Sequence, residues 1–442
     1  MKVNNVKTAL FQSVNRYVIG LFFIIFVWLL SACNPVFELQ ITVQDQPRPV
    51  LGKVAYISGG DVWIDDLDND RTMRLTLDGY NSHPQWSADG SQIAFLKKNQ
   101  LWVIDIVSHH VMTVSETPVE WFEWSPTESI LVYFIGNAGL YSWDVNPQTD
   151  RLILPITSGN ALESFVWDDK ESIVYTNGSI KNGMYWLSIN RLNVRDEVVE
   201  TLNETSEMRE IPRLASVSAD GKWIAYWLWN TQITFPEQEG LLLCTLGVAD
   251  KQNRCMDSKS IPSTDFLDWS SENRITFISS TAEENRFKNS LVIADSLEFK
   301  EKSLVEFGAD QLSIHPAWAP DGNSIAYSGV PINQQKTSEG YEQNGAAICH
   351  RRIWVVDTES KKNHQLTNDE RYCDDIPEWS TDGEYILFSR VNKNNASLWL
   401  MKSNGKDLHQ IVPELTPKPE PLGKYGIINW ANWWDWWLPS TS

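Results

Sequence analysis

One motif, repeated along most of the chain, restricts what this sequence can fold into. Its clearest copy runs His83-Pro84-Gln85-Trp86-Ser87-Ala88-Asp89-Gly90-Ser91-Gln92-Ile93-Ala94-Phe95 and continues with Leu101-Trp102-Val103-Ile104-Asp105. A second runs His315-Pro316-Ala317-Trp318-Ala319-Pro320-Asp321-Gly322-Asn323-Ser324-Ile325-Ala326-Tyr327, with Ile353-Trp354-Val355-Val356-Asp357 and Gln365-Leu366-Thr367 after it. A third is Ile376-Pro377-Glu378-Trp379-Ser380-Thr381-Asp382-Gly383-Glu384-Tyr385-Ile386-Leu387-Phe388, then Leu398-Trp399-Leu400. Weaker copies centre on Trp124, Trp167 and Trp269, and another keeps Ser218-Ala219-Asp220-Gly221 with Val217 where Trp is expected. The anchors at 86, 124, 167, 217, 269, 318 and 379 are spaced by 38, 43, 50, 52, 49 and 61 residues. Intervals of about 40–50 residues belong to repeat architectures whose unit is one small sheet. Nine of the 22 Trp of the chain stand in these copies.

Each copy supplies short β-branched or aromatic runs bounded by Asp-Gly or Asn-rich turns, the pattern of antiparallel strands. Asp-Gly closes tight hairpins because Gly accepts positive φ without Cβ strain. The anchor Trp offers a large apolar body to wedge between neighbouring sheets and an N–H for a partner. A four-stranded unit cannot bury both faces alone, whereas a ring of such units can. The chain is therefore expected to be all-β, a single β-propeller of four-stranded blades over residues 51–442. Its repeat core should hold Trp86, Trp124, Trp167, Trp269, Trp318, Trp379 and Trp430. Residues 54–76 read as a blade lacking its first strand, and Gly426-Ile427-Ile428-Asn429-Trp430 as that strand. Joining them closes a ring of eight blades by the N- and C-terminal strands. Loss of a degenerate unit gives seven, and residues 37–43 are a rival source of the closing strand.

These repeats resemble the TolB-type propeller, a WD-repeat-like family with the hallmark Pro-x-Trp-Ser-Pro-Asp-Gly-x-x-Ile-Ala-Phe. The resemblance covers about residues 54–430 and implies the fold; fold alone does not imply function. TolB proteins carry an α/β domain before the propeller, whereas residues 34–53 alone separate Cys33 from the first repeat. A place in the Tol–Pal envelope system is therefore not implied.

The N-terminus reads as an address. Residues 1–16 are polar and basic, and residues 17–30 are an apolar run shorter than the roughly 20 residues that span a bilayer. The run ends in Leu30-Ser31-Ala32-Cys33, which resembles the bacterial lipobox. That resemblance implies a signal peptide over 1–32, diacylglycerol on the Cys33 thiol, and a lipidated tether over 33–50. A firm anchor follows, since each buried CH₂ contributes about 0.8 kcal/mol. The expected location is the bacterial cell envelope, on the export side of a membrane.

The formal net charge is −20. So acidic a surface repels phosphate backbones, and nucleic acid is not an expected partner. No Gly-x-Ser-x-Gly nucleophile elbow occurs. His83 and His315 occupy one repeat position and read as turn packing. The run Asp65-Asp66-Leu67-Asp68-Asn69-Asp70 departs from a calcium loop at Arg71 and Leu77 and reads as a solvated turn. No cofactor, metal or catalytic residue is assigned.

Four Cys remain beyond Cys33, an even number in an exported chain, which suggests disulfides. Neighbouring positions pair Cys244 with Cys255, across a turn, and Cys349 with Cys373, in loops; free buried thiols are the alternative. Residues 229–240 and 329–352 are insertions on one loop face, where binding surfaces commonly lie. The C-terminal Asn429-Trp430-Ala431-Asn432-Trp433-Trp434-Asp435-Trp436-Trp437 reads as the closing strand and its packing, with sugar stacking or membrane anchoring as alternatives. The functional expectation is a monomeric, membrane-anchored scaffold that binds a protein or glycan and is not an enzyme. The alternatives are a carbohydrate-active or hydrolytic enzyme with carboxylates in the central funnel, and a periplasmic sensor or envelope-assembly component.

Overall fold

Short runs of alternating apolar and polar residues, broken by tight turns, fold into antiparallel hairpins that follow one another along the chain. The computed structural model describes residues 50–439 except 158–159, 169–170, 207–209, 231–240, 261–265, 284–285, 296–299, 308–312, 331–349, 393–394 and 416–427. The signal segment, Cys33 and the tether up to residue 49 lie outside the described residues. Within them the chain is almost wholly strand, gathered in four-stranded antiparallel sheets. Six sheets are separate. The strands of residues 210–260 and 267–306 form two further four-stranded sets, joined by one bridge between Ser260 and Ser279.

The strand that carries or precedes each anchor lies at the inner end of its sheet. Numbering sheets along the chain, these inner strands are Trp434–Trp437 for sheet one, Asn81–Trp86 for two, Trp121–Trp124 for three and Asn160–Trp167 for four. Glu210–Val217, Leu267–Trp269, Ile314–Trp318 and Cys373–Trp379 follow for sheets five to eight. Inner strands of neighbouring sheets pack against each other, including those of sheets four and five, six and seven, and seven and eight.

Among the described residues the core is divided into eight clusters, each shared by two adjacent sheets. Alternation along a strand sends successive side chains to opposite neighbours. Val54 and Tyr56 pack with Leu387, Leu398 and Leu400 of sheet eight, whereas Ala55 and Ile57 pack with Trp86, Ile93 and Phe95 of sheet two. Ala94, Leu96 and Val103 of sheet two then meet Leu131 and Tyr133 of sheet three. The succession continues through sheets four to seven and ends where Ala326 and Ile353 meet Ile386 and Phe388 of sheet eight. Sheet eight in turn packs on sheet one. The fold is an all-β propeller.

The closing strand differs from expectation. It is Trp434–Trp437, pairing antiparallel with Lys53–Ser58 in the register Lys53↔Trp437, Val54↔Trp436, Ala55↔Asp435 and Tyr56↔Trp434. Residues 426 and 427 lie outside the described residues, and Trp430 belongs to a 3₁₀ turn, Trp430–Asn432, rather than to a strand. The reason lies in period: Trp434 and Trp436 alternate with Asp435 and Trp437, as an inner strand between two sheets requires, and the earlier segment has no such alternation. Trp434 donates to Ser389 Oγ at 2.9 Å and Trp436 to the Leu51 carbonyl at 2.7 Å. Trp437 lies against the Asp89-Gly90 turn and donates to the Ala88 carbonyl at 3.0 Å. Gly90 has φ +66°, and a Cβ there would lie 2.3 Å from the Trp437 ring, so both backbone and space call for glycine. Each of these Trp thus has a structural role in closure.

Candidate functional site

The inner strands of sheets two, seven and eight share an unusual backbone feature. His83, His315 and Ile376, each immediately before a Pro, have positive φ of 55°, 52° and 45°. At the same points the ladder to the next strand shifts register. A bulge bends a strand and re-aims the side chains that follow. Here those are the residues just before the anchor Trp: Gln85, Ala317 and Glu378. Backbone strain of this kind clusters at functional sites.

The position before the anchor carries a carboxyl group in four sheets: Glu123 in three, Asp268 in six, Glu378 in eight and Asp435 in one. Asp435 is assigned to this position by its bond: its Oδ2 accepts the Trp86 amide at 2.7 Å, just as Asp268 Oδ2 accepts the Trp318 amide at 2.7 Å. Trp436, and not Trp430, is thereby the anchor of sheet one. All four carboxyls are partly buried, and burial raises the pKa of each. Glu378 is pushed up to about 8, first by burial and then by the charges of Asp435 and Asp268. Glu123 rises to about 7 through burial alone. Asp268 and Asp435 each rise to about 6 through burial, held back by the amides they accept. At neutral pH a protonated carboxyl and two mainly ionised ones therefore share one region at the inner ends of sheets six, eight and one.

A cleft of about 570 Å³ opens between sheets six, seven and eight. Asp268 and Glu378 line it, with apolar walls from Trp318, Ile376 and Trp379 and with His315 at one side. Neither Lys nor Arg is among its lining residues. Behind it, Asp375 is held by three donors: His315 Nδ1 on Oδ1 at 2.8 Å, Arg351 on Oδ2 at 2.8 Å, and the Trp430 indole on Oδ2 at 3.2 Å. The positive charge around it keeps Asp375 ionised well below the usual carboxylate range, against a strong burial penalty. Next to it Arg390 grips Asp374 in a two-pronged pair at 2.6 and 3.0 Å. Trp430, expected as an anchor, instead ties the C-terminal segment to Asp375, the residue before the cleft-lining Ile376.

The anchors otherwise behave as sheet wedges. Trp86, Trp124 and Trp318 are buried, and Trp167, Trp269 and Trp379 partly so. Indole N–H groups reach back to the preceding sheet: Trp124 to the Gln85 carbonyl at 3.1 Å, Trp167 to the Glu123 carbonyl at 3.4 Å, and Trp379 to the Ala317 carbonyl at 3.0 Å. Trp269 donates to Ser216 Oγ at 2.8 Å. Cys244 and Cys255 form a disulfide between neighbouring strands, with Cα atoms 3.9 Å apart. Cys349 and most of both insertions lie outside the described residues. Cys373, expected in a loop, is buried at the start of the inner strand of sheet eight. His83 is half-buried with Nδ1 2.9 Å from Ser82 Oγ, and burial disfavours its protonation. His315 does more than pack a turn, since it pairs with Asp375. The acidic turn is as expected: Asp66 and Asp68 accept main-chain amides of Asn69, Leu51 and Gly52.

Sequence reasoning named no carboxylate of the funnel. The signal was present between Pro and Trp in the repeat, where Glu378 stands in the same place as Gln85 and Ala317.

No family model matches the sequence. A stretch of 107 residues, 24% of this chain, is 30% identical to a Bacillus subtilis (strain 168) protein named as the uncharacterized peptidase YuxL, and covers 15% of it. The structure is similar to Porphyromonas gingivalis dipeptidyl peptidase 4, with a TM-score of 0.56 at 9% identity over 82% of this chain and 60% of that one. It is also similar to the dihydro-heme d1 dehydrogenase NirN, with a TM-score of 0.54 at 14% identity over 82% of this chain and 73% of that one. The chain thus spans 15% of the curated peptidase and 60% of the dipeptidyl peptidase. The expectation that this protein is not an enzyme is corrected by the sequence match to a named peptidase. What the structural likenesses share with this chain is the propeller.

Proposed function

We propose that this chain is an eight-bladed propeller with a hydrolytic site in its funnel, acting on peptide bonds, and that it is a TolB-like lipoprotein held at the cell envelope through Cys33. The observation that carries the hydrolytic reading is that Glu378, whose pKa is pushed up to about 8, and Asp268, raised to about 6, line one open cleft. Two carboxyls whose surroundings hold their pKa values apart provide an acid and a base at the same pH. Asp268 accepts a proton from water as the water oxygen bonds to the substrate carbonyl carbon. Glu378 gives its proton to the departing amine as the C–N bond breaks. Asp435 does not line the cleft, and its charge helps to keep Glu378 protonated. The apolar walls lower the local dielectric, which strengthens both effects. The match to a named peptidase supports peptide as the substrate class.

The test is cleavage of a mixed fluorogenic peptide library by wild type and by Glu378→Gln. Loss of an essential acid costs about 10²–10⁴-fold in rate, and Glu378→Gln keeps the shape and removes the proton donor. A variant as active as wild type would overturn the assignment. Anchoring is tested separately: acyl labelling should reach the wild-type protein and not Cys33→Ala, and equal labelling of both would contradict it.

A further inference from the structure

A second cleft adjoins the first. It measures about 320 Å³ and lies between sheets five and six, with Ala215, Val217 and Ala219 on one side and Leu267 and Trp269 on the other. Leu267 and Asp268 line both clefts, so the inner strand of sheet six is their common wall. The space follows from the sequence of sheet five. The two residues before the anchor position are Phe122 and Glu123 in sheet three and Phe165 and Val166 in sheet four, but the smaller Ala215 and Ser216 in sheet five. The polar groups of this second cleft are already engaged. Ser216 Oγ accepts the Trp269 indole at 2.8 Å, Asp268 Oδ1 accepts the Trp269 amide at 2.8 Å, and Asp268 Oδ2 accepts the Trp318 amide at 2.7 Å. Neither Lys nor Arg is among its lining residues. An apolar group gains most from such a place, since it sheds water there and leaves no hydrogen bond unmade.

We infer that this cleft is the subsite for an apolar side chain on the acyl half of the bound peptide. The inference deepens the hydrolytic reading and rests on it for which half of the peptide is bound. Glu378 protonates the departing amine, so the amine half lies toward sheet eight. Asp268 directs water at the carbonyl carbon, so that carbon lies near sheet six. The acyl half then continues away from Glu378, past Asp268, to the cleft of sheets five and six. The Asp268 carboxylate at the edge of that cleft repels an acidic side chain and leaves apolar ones favoured.

The test uses full-length protein carrying Glu378→Gln, to prevent turnover, and two probes, acetyl-phenylalanine amide and acetyl-alanine amide. The phenyl probe should bind about tenfold more tightly, the order expected for part-burial of one large apolar side chain. Ala219 is exposed on the turn at the rim of the cleft. The equivalent turn residues in other sheets are Ala88, Pro126, Pro320 and Thr381, so the position accepts varied side chains. Adding Ala219→Trp should fill the cleft and bring the two probes level. Ala219→Leu, a milder filling, should reduce the preference in part. Equal binding of both probes before the cleft is filled, or a preference that survives both substitutions, would overturn the inference. Cleavage is read separately with Glu378 in place. A peptide library cut without preference for Leu, Met or Phe over Asp on the acyl side would overturn the inference and leave the hydrolytic reading standing. A binding preference erased by Ala219→Trp, with no cleavage of any peptide, would sink the hydrolytic reading and leave the subsite standing as a binding pocket.

Discussion

A carboxylic acid that holds its proton at neutral pH needs a cause, and Glu378 has two. It is partly buried at the inner end of sheet eight, and the charges of Asp435 and Asp268 further disfavour its ionisation. Asp375, only three residues earlier, has the opposite fate because positive and hydrogen-bonding donors surround it: His315, Arg351 and the Trp430 indole. Burial is nearly complete for the pair, with side-chain exposures of 1% for Asp375 and 4% for Arg351. Removing one partner of a buried pair costs about 3–5 kcal/mol, so Asp375→Asn should lower unfolding stability at pH 7 by that order in urea titrations. The folded pKa of Asp375 is depressed, so its contribution is complete above the unfolded value, near 4, and is lost as pH falls through the folded value. The difference between wild type and Asp375→Asn should therefore shrink only in strong acid. An Asp375→Asn protein as stable as wild type at pH 7 would show that the pair does not stabilise the fold.

At the scale of elements, closure rests on four residues. Trp434–Trp437 completes sheet one and fills the gap between sheets eight and two. Deleting residues 434–442 removes three buried or half-buried Trp and leaves Lys53–Ser58 as an open edge. Loss of one large aromatic side chain from a core costs about 3–5 kcal/mol, so the truncated chain should lose its single cooperative melting transition in calorimetry. An unchanged transition would place closure elsewhere. The strands were legible because Trp-Ser, Asp-Gly and period-two runs are local signals. The site of closure was not, because the choice between Gly426–Trp430 and Trp434–Trp437 depends on which alternation fits between two distant sheets. The disulfide Cys244–Cys255 was legible for the opposite reason: both cysteines sit across one short turn. The funnel carboxyls were visible as letters, yet nothing local marks Glu378 and Asp268 as neighbours, since sheet seven intervenes between them in sequence. The bulge at Ile376-Pro377 and the convergence of inner strands bring them onto one cleft.

The whole molecule puts these parts to use through its ring. Among the described residues, apolar clusters between adjacent sheets hold the inner strands, and a site built on strands keeps its geometry better than one built on loops. Glu123, Asp268, Glu378 and Asp435 lie at one repeat position, so the same architecture that wedges Trp between sheets also sets acid groups at the inner ends of four sheets. The most direct measurement is the pH dependence of kcat/KM for peptide cleavage. With Asp268 ionised as base and Glu378 protonated as acid, activity should rise through about pH 6 and fall through about pH 8. A flat profile, or a profile without the upper limb, would contradict the account.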